Sequence, residues 1–257
     1  MLGGAAKGSF TRLDQDEATF ERYYLPLHQL VQSRSLDGLD LDVEEHMSLA
    51  GIVRLIDRLR ADFGKEFLIT LAPVAAALLN AEHNLSGFDY EALEVMRGRE
   101  IGWYNAQFYC GWGDCSNPLM YEMLLRKGWP AEKVVVGLVT NPENGGGWVP
   151  WNALATVLPA LVGRHPGFGG VMGWEYFNSL PGGRESPWQW CQWMTALLRG
   201  PGRQGGEGGV VRLDSIAAVG KPKEGKEEVD PDDGDAAEVP LPVPKGFAYH
   251  SDGEDHE

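Results

Sequence analysis

The feature that most constrains this chain is a rhythm. Helical and extended stretches alternate along it from residue 17 to about residue 200. EATFERYYLPLHQLVQS (17–33) has an apolar helical stripe, and Pro26 is expected to bend or interrupt that helix. In SLAGIVRLIDRLRADFG, Leu49, Ile52, Val53, Ile56, Leu59 and Phe63 share one helical face. Ser48 suits its N-cap and Gly64 its C-terminal stop. EFLITLAPVA then reads as a strand buried on both faces. Helix DYEALEVMRG precedes strand IGWYNAQFYC, and helix NPLMYEMLLRKG precedes strand KVVVGLVT. Helix WNALATVLPALVG, with a kink at Pro159, precedes strand GGVMGWEYFNS. PWQWCQWMTALLRG is a last helix, with Pro187 at its first position and Ser186 with Gln189 as a capping box. Strict alternation of this kind implies a parallel α/β sheet.

The acidic stretch LDGLDLDVEE (36–45) interleaves Asp37, Asp40, Asp42, Glu44 and Glu45 with Leu39, Leu41 and Val43. An edge strand with one wet face explains such alternation. So does a strand whose Asp40, Asp42 and Glu44 share one face of an enclosed site, since side chains at i, i+2 and i+4 point the same way. Crowded carboxyls raise one another's pKa, and burial raises it further. A carboxyl protonated near neutral pH is what a general acid requires. A calcium loop fits badly, because an EF-hand needs polar spacing residues, a glycine at the sixth position and a flanking helix pair. Glu45 is expected on the opposite face, towards solvent or a helix. Asp37 is expected to serve the start of the strand.

The chain has 257 residues, 43% hydrophobic, with a formal net charge of −15. That suits one large domain and disfavours nucleic-acid binding, which needs a basic patch. No apolar run reaches membrane-spanning length. Cys110, Cys115 and Cys191 make no disulfide framework or zinc site; Cys110 and Cys115 either pair locally or stay free. Residues 201–257 carry 14 acidic residues against 6 Lys and Arg, and have no periodicity. They read as a disordered acidic Gly/Pro-rich tail, with VPLPVPKGF as a short Pro-rich segment.

Five strands are legible, plus the tail of one at MLGG. A closed (β/α)8 TIM barrel needs eight. The expectation is therefore an α/β barrel over residues 1–200 that lacks its first two strand–helix units at the N-terminus. MLGGAAKGSF has neither a basic n-region nor an apolar h-region, and the sequence assigns no compartment.

DGLDLDVE matches the D-x-x-D-x-D-x-E signature and resembles glycoside hydrolase family 18, the chitinases and endo-β-N-acetylglucosaminidases. QFY (107–109) resembles the family's sixth-strand motif, GGVMGWEYF its eighth, and MLGGAAKGSF its third-strand end. RLRADFGKEFLITLAPVA, NLSGFDYEAL and WYNAQFY are similar to fungal endo-β-N-acetylglucosaminidases. The resemblance implies a substrate-assisted retaining hydrolysis, in which the 2-acetamido oxygen attacks the anomeric carbon. Glu44 would be the general acid and base. Asp42 would hold the acetamido N–H, Asp40 would share a proton with Asp42, and Tyr109 would bond the acetamido group. Gln107 and Asn105, on the face of Tyr109, would hold the sugar, and Trp174 would stack beneath it. The substrate implied is an N-glycan or chitin-type oligosaccharide, taken by a monomer that needs no metal or organic cofactor and engages no nucleic acid or membrane. Cutting between the two core N-acetylglucosamines is the first reading and chitin hydrolysis the second. A sugar-binding lectin on the same barrel is the third, disfavoured because Glu44 is present. A non-functional fragment is the fourth. The tryptophans of WQWCQW are expected to pack, and His46 has no expected role.

Overall fold

The computed structural model describes residues 1–200; the expected acidic tail lies outside the described residues. Six strands appear there: β1 (Leu2–Gly3), β2 (Gly38–Asp42), β3 (Leu68–Leu71), β4 (Tyr104–Gln107), β5 (Val134–Val139) and β6 (Val171–Trp174). They form one parallel sheet in the order β1-β2-β3-β4-β5-β6. Crossovers between neighbouring parallel strands need intervening helices, and these are α1 (Phe10–Leu13), α2 (Glu17–Ser33), α3 (Leu49–Phe63), α4 (Ala75–Leu79), α5 (Tyr90–Arg97), α6 (Leu119–Lys127), α7 (Trp151–Arg164) and α8 (Gln189–Arg199). No described helix is long and apolar enough to cross a membrane.

Local chemistry sets the boundaries. In α2, Asp16 caps the first turn by accepting from Thr19 N and Oγ1, and the helix runs through Pro26. In α3, Ser48 Oγ accepts from Gly51 N, and Gly64 ends the helix at φ +80, a conformation that suits a residue without Cβ. Ile52, Leu55, Ile56 and Leu59 of α3 are fully buried against the sheet. Burying each contributes roughly 1.5–3 kcal/mol. The apolar run around β3 is shorter as a strand than its sequence suggests. Pro73 has no N–H for a ladder, and the alanines beyond it fold as α4. At α8, the expected capping box does not form. Gln189 N and Trp190 N donate to the carbonyls of Ser186 and Pro187, a tight first turn, and Trp188 occupies the N-cap without a side-chain bond.

Register decides which residues face inward. Paired residues of a parallel ladder point to the same side. Leu41, Leu71 and Tyr104 pair across β2, β3 and β4. Tyr104 stands edge-on to Tyr90 and Trp129, which marks that side as the helix layer. Asp40, Asp42, Thr70, Asn105 and Gln107 lie an odd number of residues away and face the other, inner side. The inner face continues from Gln107 through Gly137 to Met172, and two residues further on through Val139 to Trp174.

Candidate active site

Asp42, Glu44, Gln107, Tyr109 and Trp174 stand at or just past the C-terminal ends of their strands, where the loops of such barrels gather, with Asp40 and Asn105 two residues further back. β2 supplies Asp40 and Asp42. The strand ends at Asp42, so Glu44 lies on the segment beyond it rather than on the same pleated row. The expected strand is thus shorter than the acidic run, while Glu44 stays on the side of Asp42, where Gln107 meets both. β4 supplies Asn105 and Gln107, with Tyr109 two residues on, and β6 ends at Trp174.

Cross-strand bonds draw these groups together. Gln107, 5% exposed, directs its Nε2 at Asp42 Oδ1 (3.1 Å), Glu44 Oε1 (3.2 Å) and the Ala72 carbonyl (3.0 Å). Asn105 Nδ2 donates to Asp40 Oδ1 (3.0 Å), and Trp103 Nε1 donates to Asn105 Oδ1 (3.0 Å). Thr70 Oγ1 donates to the same Asp40 oxygen at 2.6 Å. The other, Asp40 Oδ2, is buried without a partner. The amide hydrogens of Gln107 and Asn105, expected to meet a sugar, are thus directed at the carboxylates.

The electrostatics follow from this crowding. Asp42 is 3% exposed, and its carboxyl is pushed up from 3.8 to about 7, first by burial, then by the negative charges of Glu44 and Asp40. Asp42, buried at the end of β2, therefore keeps a proton to near neutral pH. Burial, with the charges of Asp42 and Glu44, also raises Tyr109 above the usual phenol range, so its hydroxyl remains a proton donor. Gly4, at φ +90, brings backbone close to this pair: a Cβ there would lie 3.5 Å from Asp42 Oδ2. Trp174 is 37% exposed, which leaves ring surface free for a ligand.

Thr70 was not among the residues expected here; a lone hydroxyl in the apolar run EFLITLAPVA, in register with Asp40, is the signal that marks it. Glu45 turns away from the inner face and is buried against α1. His46 is exposed beside Gly87. Cys110, Cys115 and Cys191 are all free thiols. Trp190 and Trp193 of α8 are buried as expected, whereas Trp188, at its N-cap, is exposed.

No family model matches the chain. The structure of a fungal endo-beta-N-acetylglucosaminidase from glycosyl hydrolase family 18 is 53% identical, with a TM-score of 0.74, over 78% of this chain and 71% of that one. This chain belongs to glycosyl hydrolase family 18. The chitinase ChiC from Aspergillus fumigatus is 60% identical, with a TM-score of 0.68, over 75% of the family 18 chain and 69% of its own. Chitinase 2 from Rhizopus oligosporus is 30% identical over 151 residues, which are 54% of this chain and a quarter (25%) of that protein's length. The six parallel strands are therefore consecutive units of the family's (β/α)8 barrel, and the family is one of glycosidases.

Proposed function

We propose that this family 18 chain hydrolyses the β-1,4 bond between the two core N-acetylglucosamines of N-glycans. The observation that carries this reading is the shared donor: Gln107 Nε2 reaches both Asp42 and Glu44. A single amide thereby couples a buried carboxyl to a half-buried one at the mouth of the strand. Retention without a protein nucleophile needs the substrate's own acetamido oxygen to attack. Asp42, protonated near neutral pH, orients that acetamido group and carries negative charge as the oxazolinium ion forms. Glu44 enters the step protonated, gives that proton to the leaving oxygen and afterwards takes one from the attacking water, which restores the acid. Asp40, with one oxygen bonded by Thr70 and Asn105 and the other buried and free, takes a share of the Asp42 proton. Tyr109 donates to the acetamido oxygen, Trp174 stacks on the sugar ring, and the Gln107 carbonyl oxygen, with Asn105 beside it, lines the sugar's edge.

Chitin hydrolysis is the second reading, supported by the 60% identity to a fungal chitinase. The two use the same carboxylates and differ in the product. A high-mannose glycoprotein and a chitin oligomer, each incubated with the chain and followed by mass spectrometry, separate them. One N-acetylglucosamine left on asparagine supports the first. Shortened chitin oligomers with an untouched glycoprotein support the second.

A further inference from the structure

Glu45 follows the acid Glu44, and its surroundings are built with more care than a loop residue needs. It is 6% exposed. Its Oε1 accepts from Phe10 N at 2.6 Å, and its Oε2 accepts from Gly8 N and from Thr11 Oγ1, both at 2.6 Å. Bonds to an ionised acceptor are short and strong. These depress the Glu45 carboxyl below its ordinary value against the opposing effect of burial, so it stays charged. The donors belong to the loop after β1 and to the first turn of α1, whose Phe10 is fully buried. That loop also carries Gly4, whose N–H donates to the Asp42 carbonyl.

The segment containing Glu44 is fastened again three residues beyond Glu45. Asp14, just past α1, accepts from Ser48 N (2.8 Å) and Ser48 Oγ (2.6 Å), while Met47 N donates to the Ser86 carbonyl. The β2 ladder has ended at Asp42, so the direction of residues 43–46 rests on such side-chain fastenings. The backbone bends at Glu45, between the end of β2 and the start of α3. Fixing Glu45 into the α1 turn therefore fixes where the peptide between residues 44 and 45 lies, and with it the aim of Glu44.

We propose that Glu45 is a positioning residue: its clamp on Gly8, Phe10 and Thr11 aims the Glu44 carboxyl at the inner face. This rests on the reading of Glu44 as the acid. An amide at position 45 would turn its NH2 towards a donor, so Glu45→Gln breaks at least one bond. Glu45→Gln and the milder Thr11→Val would be compared with the unaltered chain on a chitin oligomer or glycoprotein. The Asp42 carboxyl titration would be followed by carbon NMR, and melting would be recorded. The expected result is a kcat lower by about tenfold in Glu45→Gln and by less in Thr11→Val, with KM within twofold. The Asp42 midpoint would also fall, because the Glu44 charge that raises it has moved away. Thr11→Val keeps the test open if Glu45→Gln does not fold. Unchanged kcat and unchanged Asp42 titration in a folded variant overturn the proposal. So does a rise in KM at constant kcat, which would make the loop a binding element instead. If the unaltered chain cuts neither substrate but the Asp42 midpoint still falls, the hydrolytic reading fails and the clamp stands.

Discussion

Gln107 Nε2 stands 3.1 Å from Asp42 Oδ1, in a site where Gln107 is 5% exposed and Asp42 3%. The same nitrogen reaches Glu44, so the amide is the hinge of the carboxylate pair. Gln107→Leu keeps the volume and removes the donor. A hydrogen bond to a charged group is worth about 1.5–3 kcal/mol, which converts to a loss of about 10- to 100-fold in kcat. Steady-state kinetics beside a thermal melt check this; unchanged kcat in a folded variant would assign Gln107 to scaffolding.

Asp42 makes stability depend on pH. Its folded carboxyl titrates at about 7, against 3.8 unfolded. Between those values the folded state binds more protons than the unfolded one, so stability contributed here is present below about pH 4 and lost as pH rises through 7. Asp42→Asn carries no such titration. Melting temperatures measured from pH 5 to pH 8 should fall in the unaltered chain relative to Asp42→Asn, so that the variant gains on it as the pH rises. The same substitution should lower kcat by 100-fold or more, at the scale of a lost charge-stabilising group.

Trp174 ends β6 with more than a third of its surface open. Its replacement by alanine should weaken binding of an N-acetylglucosamine oligomer by about tenfold, since an aromatic contact is worth about 0.5–1.5 kcal/mol beyond its area. Calorimetry on a Glu44→Gln background, where the ligand survives, measures it. Equal affinity would remove Trp174 from the site.

Gly51 permits a close approach in the scaffold. A Cβ there would collide with the carboxyl of Asp14, the group that holds Ser48. Gly51→Ala should destabilise by roughly 1–3 kcal/mol, as overpacking does, despite alanine's better helix propensity. Urea denaturation gives the value; a stabilised variant would show that Asp14 moves aside freely.

Much of this was legible in the sequence because two periods carry it. The 3.6-residue stripe of Leu49, Ile52, Val53, Ile56 and Leu59 fixed α3 to its caps, and the alternation around Asp40 and Asp42 fixed their common face. What escaped depends on register or on backbone accounting. Thr70 meets Asp40 only because β2 and β3 pair as they do. The α8 capping box yielded to a tight turn onto Ser186 and Pro187, which no composition signals. Where β2 stops also escaped, and that placed Asp42 inside and Glu44 at the rim.

The most direct test is the fate of a high-mannose glycoprotein incubated with the chain and, in parallel, with Glu44→Gln, read by intact-mass spectrometry. The expected result is a glycoprotein reduced to a single N-acetylglucosamine by the unaltered chain and left intact by the variant. Equal cleavage by both would contradict Glu44 as the acid, and a folded chain that leaves the glycan whole would contradict the proposed substrate.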